Sequence, residues 1–438
     1  MNSASKIWMP AVCFLALAMP LAAVRPLWLD EILQLMDTRQ PSATELMARL
    51  PLHDPGSAPL GYLAQQTALK LTGYSDWRAR LPAVLFGAAA IFLTAILGAE
   101  LGLRSGWRSA ALLAVFPLTL RYGTEARMYS QALFFSALAS WIYMRLARDP
   151  GWALAVAYWL ALLACVYTQP YSISVGLAHF WWSVAQRQRK AAIFGGTALA
   201  LAVAAFLPWY WHANAMWTAD LADTPGFSAS LKTPLMIFRE FCGAGYWGSA
   251  LLAVLCALTI SRRYLPPRAL TLLLLLIVSP IAGAVAGDAV FGYFLAVRQF
   301  LWAMPAAAIL AAAATENRSR VSHAATAILT VVCIWQSVRF FSAPHENWRA
   351  AADALEDRVK LGDCLMVAPP AQASLYEFFH PELRHAGCTA DPIVLAVTPY
   401  ATAAEREAAL SMLTSRDCQQ GRTDTVGGSQ IVEFLHCR

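Results

Sequence analysis

The chain has 438 residues, of which 58% are hydrophobic and only 14% charged, with a mean hydropathy of +0.48. That balance excludes one large soluble core and indicates a mainly α, polytopic membrane protein. The formal charge of +6 would suggest an anionic partner in a soluble protein. Here much of it belongs to short loops between apolar runs, where the positive-inside bias accounts for it without nucleic acid.

The first apolar run, "IWMPAVCFLALAMPLAAV" at 7 to 24, follows Lys6 and imitates a signal peptide. Several further spans come after it, so an uncleaved first transmembrane helix is the expectation. Apolar runs then predict helices near 7 to 27, 79 to 99, 106 to 121, 128 to 146, 152 to 168, 170 to 186, 191 to 211, 244 to 261, 269 to 287, 292 to 313 and 321 to 341. The count is about 11, within a range of 10 to 13. With residue 1 in the cytoplasm, the inner connections are 100 to 108, 145 to 151, 187 to 190, 262 to 268 and 314 to 320. Every one of them is basic, and together they hold twelve Arg and Lys residues. The alternation places the 28 to 78 loop, the turn "RYGTEARMY" at 121 to 129, the 212 to 243 loop and everything after 342 outside the cytoplasm.

The 28 to 78 loop is long for a connection and contains two amphipathic pieces, "SATELMARL" at 42 to 50 and "PLGYLAQQTALKLTG" at 59 to 73. In the second, Leu60, Leu63, Ala64, Thr67, Ala68 and Leu71 share one helical side, as in a helix lying at a membrane surface; a plain structural cap over the bundle is the alternative. Residues 1–341 therefore form a membrane module that includes this loop. Residues 342–438 form a small extracytoplasmic α/β domain, with helical patterns at 346 to 359, 373 to 379 and 402 to 416 and strand-like runs at 363 to 369, 392 to 399 and 429 to 437. Cys13, Cys165, Cys242, Cys256 and Cys333 lie in or near apolar segments as small packing residues. Cys364, Cys388, Cys418 and Cys437 fall in the tail, where an even number suits disulfides in an oxidising compartment or, alternatively, free structural thiols; no pairing is selected. The chain has no Gly-rich phosphate loop, no HExxH and no paired CxxC.

Charged residues beside apolar spans occupy polar cavities, interfaces or partners. On the predicted outer side these are Asp30 and Glu31 after the first helix, His53 and Asp54 in the first loop, and Glu125 and Arg127 before the fourth helix. Sugar transfer from a phosphate carrier needs a base for the acceptor and a cation for the departing phosphate. Asp30 suits the first role and Arg127, with its bidentate fork, the second. Each also has a structural reading: Asp30 as a helix cap or ion-pair partner, Glu125 paired with Arg127 or a neighbouring helix, His53 as a hydrogen-bonding loop residue. Asp220 and Asp223 read as exposed loop charges, and "PWYWHANAMW" at 208 to 217 as an interface anchor or a contact for headgroups or sugars.

The stretches "LWLDE", "SAPLGYLAQQTALKLTGYSDWRARLPAVLFGAAAIFLTAIL" and "LTLRYGTEARMYSQALFFSALASWIYMRL" resemble the integral-membrane glycosyltransferases of the GT-C superfamily. The likeness is to the bacterial glycosyltransferase family 39-like, or dolichyl-phosphate-mannose-protein-mannosyltransferase-like, group. Its distinctive part covers about residues 27 to 146. The elements "DE", "PL(x)Y", "RLPA" and "EARMY" carry it by their order.

The resemblance implies a GT-C fold and inverting transfer of a sugar from a polyprenyl-phosphate donor to a lipid, glycan or protein acceptor of the cell envelope. It also implies a periplasmic active site on a bacterial inner-membrane protein in contact with membrane lipids. The family's acidic position after the first helix falls on Asp30, the preferred general base, with Glu31 beside it. Its second acidic position falls on Glu125, a catalytic residue that positions the acceptor, Asp30 or a cation; its arginine falls on Arg127, which stabilises the donor phosphate, and Tyr129 orients the donor. The first loop departs from the family pattern: "HDPGSAPLGY" spreads out His53, Pro55 and Pro59 and inserts Gly61 before Tyr62. His53, Asp54 and Tyr62 are thus acceptor-side or loop-site candidates. A divalent cation is an open question, with Asp30, Glu31 and His53 as its candidate ligands. The alternatives are an oligosaccharide ligase or polyprenyl-phosphate group transferase, a lipid or ion transporter, and a nonenzymatic assembly factor. No internal repeat favours a transporter.

Overall fold

The computed structural model describes residues 6–214, 233–243, 245–291, 296–316, 319–385 and 392–437. Asp220 and Asp223 therefore lie outside the described residues. The chain is mainly helical and divides into two compact units: residues 1–23 with 40–342, and residues 24–39 with 343–438. The second unit thus takes in the segment carrying Asp30 and Glu31, which the sequence grouped with the first loop.

In the first unit, α1 (Met9–Val24) ends three residues short of the predicted 27 because Arg25 precedes Pro26, and a residue before proline is pushed out of the helical region. Two short helices of the first loop follow, α3 (Ala43–His53) and α4 (Leu60–Thr72), while α2 (Leu29–Thr38) belongs to the other unit. Next come α5 (Asp76–Glu100), α6 (Trp107–Val115) and α7 (Pro117–Gly123). The predicted 106 to 121 helix is broken between α6 and α7, where Phe116 is extended at ψ 128° ahead of Pro117. The unit continues with α8 (Tyr129–Arg148), α9 (Trp152–Thr168), α10 (Ser174–Ala185), α11 (Arg189–Asn214), α12 (Thr233–Glu240), α13 (Tyr246–Arg262), α14 (Pro267–Phe291), α15 (Met304–Ala313) and α16 (Arg320–Ser342). A 3-10 turn, Val297–Ala303, leads into α15, whose ten residues are all buried.

Helix occupies each of the eleven predicted intervals. Among the described residues, however, only four helices are long and apolar enough to cross a membrane by themselves: α5, α11, α14 and α16. A fifth is added if the broken helix Met9–Val24 with Leu29–Thr38 counts as one span.

Close approaches hold the first unit together. The Phe14 ring is buried, and a Cβ on Gly123 would lie 2.5 Å from it and one on Gly87 3.1 Å away, so α1 nests against α5 and α7 where side chains are missing. Burying such a ring stabilises by about 1.5–3 kcal/mol. Arg80, the arginine of "RLPA", is buried and donates from Nη1 to the Ala22 carbonyl at 2.8 Å, satisfying an orphan acceptor in the last turn of α1. The basic loops meet at one end. Arg145 and Arg148 pair with Glu100, the Ser105 N–H donates to Glu316, Arg108 donates to the Thr315 carbonyl, and Trp182 donates to the Arg268 carbonyl.

The second unit opens with α2 (Leu29–Thr38) and continues with α17 (Trp348–Lys360), β1 (Cys364–Ala368), α18 (Ala373–Glu377), β2 (Ile393–Val397), α19 (Ala403–Thr414), β3 (Gln419–Val426) and β4 (Ser429–Leu435). The sheet order is β1-β2-β4-β3. β1 and β2 are parallel, with Cys364 opposite Ile393, and β4 runs antiparallel to both β2 and β3. Leu395, Leu413, Val432 and Phe434 are among its core residues. The sequence did not suggest β3, an exposed polar edge strand without apolar alternation. Its turn is Gly427 and Gly428, both at positive φ, the pair a tight hairpin requires. A disulfide joins Cys418 to Cys437, and Cys364 is also disulfide-bonded. Cys388 lies outside the described residues.

Candidate active site

In the first unit the predicted "EARMY" residues form a turn between α7 and α8, closed by the Arg127 N–H on the Glu125 carbonyl at 2.7 Å. Glu125 is buried and accepts from Nε of Arg121, one helical turn earlier, at 3.0 Å. Arg121 also lies over the rings of Tyr122 and Phe340, at 5.2 and 4.8 Å. Tyr129 opens α8 and is buried edge-on to Tyr122, with 5.1 Å between ring centroids. Two guanidinium groups converge on Tyr129. Arg127 lies 5.9 Å from its ring centroid and Arg298, from the 3-10 turn before α15, lies 5.7 Å from it. A guanidinium close to an aromatic ring is attracted by the ring quadrupole. The sequence did not single out Arg298, which follows an apolar run without a recognisable pattern.

The first loop packs onto this turn. Gln65 on α4 donates to the Ala79 and Ala126 carbonyls, at 2.9 and 3.2 Å. Gly61, the departure from the family pattern, has a local reason: a Cβ there would sit 2.4 Å from Cβ of Met128. α4 buries Gly61, Tyr62, Gln65, Gln66 and Leu69, whereas Leu71, on the apolar side predicted for a membrane surface, is exposed. The Tyr62 hydroxyl donates to Asp54 and contacts Ser57 Oγ at 3.5 Å. Burial raises the Tyr62 pKa well above that of an ordinary phenol and the Asp54 charge adds to this, while the positive charge of Arg127 opposes it. Tyr62 is therefore a neutral donor that couples Asp54 to the Arg127 turn. His53 is exposed and accepts from Arg49 at 3.1 Å; burial and then the Arg49 charge lower its pKa, leaving a neutral imidazole.

In the second unit Asp30 and Glu31 occupy the first turn of α2, where carboxylates favour the helix dipole. Glu31 is fully buried and accepts the Trp28 N–H at 3.2 Å, a capping role that satisfies an orphan donor. Asp30 is half-buried and senses a second carboxylate, Glu346, which the sequence did not suggest. Glu346 accepts from Tyr400 at 2.6 Å, from the indole N–H of Trp348 and from the Leu29 backbone N–H. Burial raises its pKa, and the Asp30 charge pushes the same way against those three donors.

Of the candidate cation ligands read from the sequence, Asp30 and Glu31 belong to the second unit and His53 to the first. Among the described residues, the metal-capable side chains grouped by geometry are Glu356, His380 and Glu382 in the second unit, close to one another at its surface.

No protein-family model matches the chain, and no curated protein matches it significantly. Solved structures do. ArnT from Cupriavidus metallidurans in the apo state is similar over 98% of each chain, at 12% identity and a TM-score of 0.58. The same protein bound to undecaprenyl phosphate is similar over 97% of each chain, at 14% identity and a TM-score of 0.53. This chain therefore has the fold of those ArnT structures.

Proposed function

We propose that this protein is an inverting GT-C glycosyltransferase that moves a sugar from a polyprenyl-phosphate donor to a cell-envelope acceptor. The observation that carries the proposal is the pair of arginines, Arg127 and Arg298, gathered on Tyr129 beside the Arg121–Glu125 ion pair. A concentration of guanidinium groups on a buried aromatic suits a phosphate better than an uncharged ligand. The full-length likeness to a fold also solved with undecaprenyl phosphate supports the donor class.

In the proposed reaction Asp30 removes the acceptor proton as the acceptor oxygen attacks the anomeric carbon. The bond from that carbon to the phosphate oxygen breaks with inversion. Arg127 and Arg298 stabilise the charge on the departing polyprenyl phosphate, and Tyr129 holds the two cations in place. Glu125 keeps Arg121 oriented beside them, and Tyr62 with Asp54 fixes the loop against the turn. Glu31 caps α2 and so sets the direction of Asp30. Phosphate is already a good leaving group, so the departing oxygen needs little acid assistance.

The proposed setting is a bacterial inner membrane, crossed about eleven times, with the N-terminus cytoplasmic and residues 342–438 periplasmic. Three observations support it: the meeting of the basic loops at one end of the first unit, the exposure of Leu71 on the apolar side of α4, and the Cys418–Cys437 disulfide, which suits an oxidising compartment. The test is to offer the purified, reconstituted protein a panel of polyprenyl-phosphate sugars and envelope acceptors. A glycosylated acceptor of inverted anomeric configuration, read by mass spectrometry and NMR, is expected. Donor consumption without acceptor glycosylation would contradict it.

A further inference from the structure

At the end of the first unit where the basic loops meet, α10 and α11 leave an open groove of about 750 Å³ between them. Phe180, Val184 and Ile193 form its apolar walls, and Arg187 and Arg189 stand at its mouth. Gly196 keeps the floor open: a Cβ there would come within 3.1 Å of the Phe180 ring. The lining contains no carboxylate, so the two arginines meet no opposing charge from the groove itself. Val184 and Ile193 keep 45% and 57% of their surface exposed, and only 28% of the apolar stretch of α11 is buried within the protein. Exposed tryptophans stand near the same end, Trp181 beside Phe180 and Trp152 edge-on to Phe194 at 5.1 Å. Aromatic side chains at that level mark a membrane interface.

We propose that this groove binds an anionic glycerophospholipid, its phosphate taken by Arg187 and Arg189 and one acyl chain lying along Phe180, Val184 and Ile193. The combination is selective for chemical reasons. An apolar trough alone takes any acyl chain, but paired guanidinium groups at headgroup level favour a net negative lipid and disfavour the ammonium of a zwitterionic one. The groove lies away from Arg127 and Tyr129, at the end carrying the basic loops, so this lipid is a bound structural ligand and not the sugar donor. The inference rests on the membrane setting proposed above.

The probe is phosphatidylglycerol carrying a photoactivatable diazirine on its acyl chain, added in trace to the full-length protein in phosphatidylcholine vesicles. Cross-links are mapped by mass spectrometry and competed with unlabelled lipids. Labelling within residues 180–197 is expected, with phosphatidylglycerol competing about 30-fold better than phosphatidylcholine, equivalent to about 2 kcal/mol from two cations at about 1 kcal/mol each. R187Q/R189Q should abolish that preference without changing the circular dichroism or the melting temperature in phosphatidylcholine. G196L, which fills the floor, should reduce labelling by either lipid. Equal competition by the two lipids, or an unchanged preference in R187Q/R189Q, overturns the site and shows only annular lipid. Failure of the protein to remain with carbonate-washed vesicles overturns the membrane setting itself, and the site with it.

Discussion

Arg298 offers the sharpest test of the proposed phosphate site, because the structure and not the sequence brought it forward. Replacing it with glutamine keeps a polar side chain of similar reach but removes the charge and the fork. A charge-assisted hydrogen bond contributes about 1.5–3 kcal/mol, so Arg298→Gln should weaken donor binding about 10- to 150-fold. Arg298 and Arg127 share the Tyr129 ring, at 5.7 and 5.9 Å, so their contributions should not add. A double-mutant cycle with Arg127→Gln should return a coupling energy of about 0.5–3 kcal/mol. Tyr129→Phe retains the ring and should leave donor affinity nearly intact, whereas Tyr129→Leu should lower it. The assay is titration of reconstituted protein with a polyprenyl phosphate, alongside donor KM and kcat. Wild-type donor affinity in Arg298→Gln, in protein with an unchanged melting temperature, would refute the assignment.

Two further outcomes follow from local geometry. Gly61→Ala places a Cβ 2.4 Å from that of Met128. An alanine in an unobstructed helix would stabilise by about 1 kcal/mol relative to glycine, but here overpacking of about 1–3 kcal/mol prevails, so the melting temperature should fall. A rise would show that α4 does not lie against the turn. For His380, partial burial opposes the charge, but the hydrogen bond to Asp353 at 2.7 Å and the charges of Glu356 and Asp353 outweigh it and raise the pKa above the usual 6.5. A raised folded pKa means the stabilisation is fully present below about pH 6.5 and is lost as pH rises through the folded value. Melting curves across that window should slope downward with pH, and His380→Gln should flatten that component. An identical pH dependence in the variant would remove His380 as its source.

Much of the fold was legible because long helices declare themselves as apolar runs, and the C-terminal domain's helices and buried strands show their periods. The interruptions were also written in the sequence, at Pro26 and Pro117, but a hydropathy window averages over them. The polar edge strand Gln419–Val426 has no apolar alternation and was marked only by the glycine pair after it. The "EARMY" turn could be found because its residues are contiguous. Arg298 could not, since its link to Tyr129 spans a long separation in sequence and arises only when the helices pack. Glu346 escaped for the same reason: its bond to the Leu29 N–H joins the C-terminal section to the segment after α1. Glu31, ambiguous from adjacency to Asp30, accepts the Trp28 N–H as a helix cap, a contact that adjacency alone does not show.

The central claim is that Asp30 is the base for glycosyl transfer. The most direct measurement compares single-turnover transfer by wild-type protein and Asp30→Asn, at saturating donor, with product identified by mass spectrometry. The asparagine keeps the size and helix position of Asp30 but takes no proton, and general-base catalysis contributes about 10²–10⁴-fold. A rate reduced by that factor, with membrane insertion, melting temperature and donor affinity unchanged, is the predicted result. Wild-type turnover in correctly inserted Asp30→Asn would contradict the account.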